Sequence, residues 1–110
     1  MPSSAFFCHA RSMFAAATAA ALMASTAIAA DADNGGQLAK RWCAFCHVVA
    51  EGQRAGNPDV PTFASIGKQP DYDVQKIANF LMSPHPKMPN MSLTRNEAAD
   101  LAAYIKSQAK

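Results

Sequence analysis

The sequence predicts an all-α fold, three to four short helices joined by loops in one small domain. Three observations carry this expectation. Apolar residues recur at helical spacing over 74–81 and 98–105. No stretch alternates apolar and polar residues with period two, so no sheet is expected. Finally, the first helical segment ends in Cys43-Ala44-Phe45-Cys46-His47, a motif that asks the chain to wrap around something it binds.

The first helix is expected over 34–43, with Asp33 or Asn34 as its N-cap and Leu38, Trp42 and Phe45 on its apolar side. Gly35 and Gly36 are poor helix formers there, which points to fraying or to a close crossing by another helix. Residues 48–70 hold Gly52, Gly56, Pro58, Pro61, Gly67 and Pro70, a density of breakers that makes a loop with at most one helical turn over 62–66. A second helix is expected over 71–82, because Val74, Ile77, Ala78 and Leu81 fall at i, i+3, i+4 and i+7 and Asp71 or Asp73 can cap it. Three prolines then exclude regular structure over 83–90. The last helix is signalled by the capping box Thr94-x-x-Glu97 and by the stripe Ala98, Leu101, Ala102 and Ile105, with Tyr104 beside it.

The chain has 110 residues and a formal net charge of +2. Residues 13–23 form an Ala-rich apolar segment too short to span a bilayer, followed by Ala27-Ile28-Ala29, the small-residue pattern of a signal-peptidase site. Residues 1–29 are therefore expected to be a cleaved signal peptide, with Ala30 the next choice of cut, and 30–110 the folded domain. That implies export to the periplasm and no stable membrane insertion after cleavage. Cys8 leaves with the leader, so Cys43 and Cys46 alone meet the oxidising compartment, where a simple disulfide is the alternative use of the pair. Basic and acidic residues nearly balance beyond residue 30 and form no basic stripe, which excludes nucleic acid as the expected partner. A domain of this size is marginal on an apolar core alone and needs a staple.

The C-x-x-C-H motif offers one. Thiols three residues apart on a helical turn face one side and can each add to one vinyl group of a haem. The following imidazole, His47, then lies where it can ligate the iron. Metal-bound imidazoles are usually oriented through their other ring nitrogen, and the loop with Pro58 and Pro61 is the natural source of a carbonyl for it. A carrier that exchanges electrons without binding small ligands needs a sixth ligand, and Met82, Met88, Met91 and His85 are available. Met88, stiffened between Lys87 and Pro89, is the first choice and Met91 the second; Met82 reads as helix packing and His85 as an exposed loop residue.

Taken together, Cys43-x-x-Cys46-His47, Pro61-Thr62-Phe63-Ala64-Ser65-Ile66-Gly67 and Met88-Pro89-Asn90 ahead of the capping Thr94 resemble a class I cytochrome c of the short bacterial type. The resemblance covers the chain beyond the leader. It implies the small class I fold around one covalently bound haem c, attached at Cys43 and Cys46, with His47 and Met88 as axial ligands of the iron. It also implies that Pro61 gives its carbonyl to His47, and that Gly35 lets the first helix cross the last beside Tyr104. The loop from His47 to Pro61 is longer than in the smallest members, which keeps Pro58 as an alternative source of the carbonyl. Trp42 is the only tryptophan, so the mid-chain tryptophan that contacts a propionate in larger members has no counterpart.

The resulting expectation is a monomeric electron carrier rather than an enzyme, exchanging electrons with redox partner proteins such as a dehydrogenase, oxidase or reductase. One alternative is a gas- or peroxide-reactive haem protein with a labile sixth ligand. Another is the small electron-accepting subunit of a dehydrogenase complex. A zinc site would strain on the adjacent ligands Cys46 and His47, and a thiol-disulfide oxidoreductase would need strands around its C-x-x-C.

Overall fold

The computed structural model describes residues 29–83 and 86–110; most of the expected signal peptide, with Cys8, and the alternative ligand His85 lie outside the described residues. Helix α1 spans Ala32–Leu38 and runs directly into a π-helical turn, Ala39–Cys43. The others are α2 (Phe63–Gly67), α3 (Val74–Met82) and α4 (Arg95–Ser107). No strand occurs among the described residues, and none of their helices is long and apolar enough to cross a membrane. The architecture is the small all-α class I cytochrome c fold that the sequence predicts.

Helix boundaries follow the caps. Helix α1 starts earlier than periodicity suggests, because Asp31 rather than Asp33 or Asn34 is its N-cap. The Asp31 carboxylate accepts from the amides of Asp33 and Asn34, at 2.9 and 3.0 Å, satisfying two orphan donors of the first turn. Helix α3 starts later than expected, at Val74, since Asp73 accepts from the Lys76 amide at 2.7 Å and leaves 71–72 in a turn. In α4 the capping box forms in both directions between Thr94 and Glu97.

Helix α4 is the spine, packing against α1, α2 and α3. Its Leu101 and Ile105 join Leu38, Ala39, Val49 and Phe63 in one buried cluster, while Ala98 and Ala102 meet Ala78 of α3 in a second. Gly35 makes the α1–α4 crossing possible. A Cβ there would land on the Asp100 carbonyl of α4 and only 2.9 Å from Tyr104 Cβ, so two backbones meet where a side chain would stand. The same crossing is tied by polar contacts: Asp100 accepts from the Asp31 amide at 2.7 Å and from Asn34 Nδ2 at 2.8 Å. Both glycines of α1 are buried, so they serve the crossing and not a frayed end.

Candidate cofactor site

The Cys43-Ala44-Phe45-Cys46-His47 segment is delivered by the end of α1. In the π-helical turn the Ala44 amide donates to the Ala39 carbonyl, five residues back, at 3.0 Å. The amides of Cys46 and His47 then both donate to the Cys43 carbonyl, at 3.1 and 2.9 Å, which coils the motif into a tight turn. Trp42 and Phe45 remain exposed, Phe45 at 96%, whereas Cys43, Cys46 and His47 are half-buried. Cys43 and Cys46 form no disulfide, and burial pushes the unattached Cys43 thiol up to about 11.

His47 is held from two directions. Its Nδ1 lies 2.6 Å from the Pro61 carbonyl oxygen, and its ring packs against Phe63 with centroids 5.5 Å apart. Phe63 in turn meets Tyr104 edge-on at 6.2 Å, and the Tyr104 hydroxyl donates to the Val49 carbonyl at 2.9 Å. A carbonyl can only accept, so Nδ1 carries the proton and Nε2 keeps its lone pair for a ligand. Pro61, not Pro58, supplies this carbonyl. It is placed by the Asn57 amide donating to the Cys46 carbonyl at 2.7 Å and by the Phe63 amide donating to the Val48 carbonyl at 3.0 Å.

Cys43, Cys46 and His47 line one cavity with Leu81 of α3, Leu101 of α4 and, between them, Met88, Pro89, Met91 and Leu93. The structure thus brings both favoured methionines to the same space as the motif. Met82 is absent from this lining and packs instead near Ala78, Ala98 and Ala102. No Asp, Glu, Lys or Arg lines the cavity among the described residues. Two thiols for two vinyl groups, an imidazole with Nε2 free, thioether sulfurs and apolar walls together form a donor set that fits a haem. Another depression, larger and more open, between 48–53, Thr62, Ala64, Gln108 and Lys110, offers no cysteine, histidine or methionine.

Two residues that organise the site carry no signal in the sequence. Gln53 accepts from the Val49 amide and donates to carbonyls of the motif, and Asp100 clasps α1. Gln53 sits in a loop without periodicity, and Asp100 resembles any charge on the polar face of a helix. In both cases the partners are defined only by tertiary structure.

Comparison with known proteins bears on the same segment. A family model described as cytochrome C oxidase, cbb3-type, subunit III matches residues 30–105. Cytochrome c-552 of Bradyrhizobium diazoefficiens is 57% identical over 89 residues, which cover 81% of this chain and 86% of that protein. No solved structure matches.

Proposed function

This chain belongs to the c-type cytochromes, and on that premise we propose that it is a periplasmic electron carrier with Cys43 and Cys46 bound to the haem and His47 and Met88 ligating its iron. As a c-type cytochrome it carries a covalently bound haem and moves electrons between redox partners rather than transforming a substrate. The haem supplies a one-electron ferric/ferrous couple.

The chain's own residues make that couple usable. Cys43 and Cys46 provide sulfur for two thioether links. His47, with its Nδ1–H donating to the Pro61 carbonyl, presents Nε2 in a fixed direction and with raised basicity. Met88 provides a thioether that favours ferrous iron and raises the potential. Leu81, Leu93 and Leu101 give the cavity apolar walls. Export rests on the apolar leader and its Ala27-x-Ala29 site.

The observation that carries the reading is the 2.6 Å contact between His47 Nδ1 and Pro61, which orients the imidazole of a C-x-x-C-H motif in a cavity also lined by Met88. The test has two parts. Haem should stay with the denatured chain and give a pyridine haemochrome with both vinyls saturated; extraction by acid–acetone would defeat covalent attachment. Met88→Ala should open the iron to carbon monoxide while Met91→Ala leaves it closed, and the reverse result would transfer the ligand role to Met91. A second reading, service within a larger complex, is favoured by the description of the matched family as an oxidase subunit. Co-purification with an integral partner from membranes would establish it.

A further inference from the structure

The carboxamide of Gln53 makes four contacts, and all of them gather around the motif. Its Oε1 accepts from the Val49 amide at 3.0 Å. Its Nε2 lies 2.7 Å from the Ala55 carbonyl, 2.8 Å from that of His47 and 3.2 Å from that of Ala44. Three acceptors around nitrogen and one donor against oxygen define the orientation of the amide, since a flip would set an oxygen against three carbonyls. Two N–H groups serve these three oxygens, so the longest contact, to Ala44, is the shared one. The carbonyls of Ala44 and His47 lie past the last helical turn, where no following amide of the helix reaches them.

We propose that Gln53 is a positioning residue for the imidazole of His47, acting through the loop that carries Pro61. The inference rests on His47 being an iron ligand. Gln53 fixes the His47 carbonyl, and therefore the backbone from which the ring projects. It also pins Val49 and Ala55, the two limbs of the loop, so that the chain leaves toward Asn57 in one direction. Gly52, at φ 83°, makes the reversal that brings residue 53 back onto the motif. Four residues after Gln53, the Asn57 amide anchors on the Cys46 carbonyl at 2.7 Å, and the Pro61 carbonyl arrives at Nδ1. The acceptor that sets the basicity of the ligand is thus held by a side chain that bonds the backbone of His47 without itself lining the cavity. A hydrogen bond to Nδ1–H strengthens donation from Nε2 to iron, so slackening it withdraws charge from the metal and favours the ferrous state.

The experiment uses the full, haem-loaded protein. Gln53→Met keeps the length of the side chain and removes all four contacts. It should raise the reduction potential and speed solvent exchange of the His47 Nδ1 proton severalfold, with six-coordination retained. Tyr72→Phe, at a residue that bonds the Ala102 carbonyl of α4 and does not line the cavity, serves as the control and should lower the melting temperature while leaving potential and exchange alone. A Gln53→Met protein whose potential and Nδ1 exchange match wild type would overturn the proposal and leave Gln53 with loop stability only. If that variant does not accumulate, the wild-type NMR spectrum decides: the two Gln53 amide protons should be resolved and slow to exchange, and a rapidly exchanging pair would refute the positioning role. His47 ring signals without paramagnetic shift would instead sink the ligation on which the inference stands.

Discussion

A single hydrogen-bond acceptor determines which nitrogen of His47 is available, because the Pro61 carbonyl cannot donate. Tyr72 shows the same economy at another residue. Its hydroxyl donates to the Ala102 carbonyl at 2.6 Å, and Lys106 Nζ stands 5.2 Å from the centre of its ring. Burial pushes its phenol up to about 12. The sign of the pH dependence follows. Below the unfolded value near 10 both states are protonated and the shift contributes nothing; above it the unfolded chain ionises first and stability falls as pH rises toward 12. Tyr72→Phe should cost about 1 kcal/mol at neutral pH by removing this hydrogen bond, the Ala102 carbonyl keeping its helical partner. It should also flatten the alkaline limb, which denaturant titrations at several pH values would reveal.

At the scale of elements, helix caps and glycines decide the geometry. Gly35→Val should lower stability by about 1–3 kcal/mol, since the added Cβ meets the α4 backbone, which cannot swing aside. A Cβ at Gly36 would stand 2.9 Å from the Tyr104 ring edge, and a side chain can shift where a backbone cannot, so Gly36→Val should cost less. Thermal melts of the two variants provide the comparison, and equal losses would show that the ring is as fixed as the backbone. Glu97 gives another test. Bonds from the Thr94 amide and hydroxyl hold its carboxyl below the usual range. The cap contributes above the unfolded Glu value and is lost as pH falls through the lower folded value, so Glu97→Gln should remove part of the acid-side fall in melting temperature. These elements are legible in the sequence because they are local. Thr94 with Glu97, and Val74 with Ile77, declare themselves within one or two turns. The start of α1 is not legible in the same way, because Asp31, Asp33 and Asn34 are all competent caps. What selects Asp31 is Asp100, which binds its amide from the other end of the chain. The π-helical turn has no signature at all, and Gln53 can be recognised only once its carbonyl partners have been placed.

For the molecule as a whole, the core and the cofactor cavity share a wall. Leu101 is 1% exposed and belongs to both. Leu101→Ala should therefore cost about 2–5 kcal/mol and loosen the cavity as well as the core. Calorimetry should show one lowered transition, and carbon monoxide should bind the ferrous variant faster than wild type. A lowered transition with unchanged carbon monoxide binding would separate the two regions.

The crossing of α1 and α4 also sets an order in time. His47 reaches Pro61 across 14 residues and Gln53 reaches His47 across six, whereas Asp31 and Asp100 are separated by 69. Closing a long loop costs more chain entropy than closing a short one, and contacts between distant segments form slowly. The motif, its loop and the Pro61 carbonyl can therefore assemble while the last helix is still free. On the proposed attachment at Cys43 and Cys46, the two thiols would in that interval lie on an open half-site, and the docking of α4 would then cover the attached group. Maturation and folding are on this view successive: Gly35→Val should leave the yield of thioether-linked chain intact and slow only the final compaction.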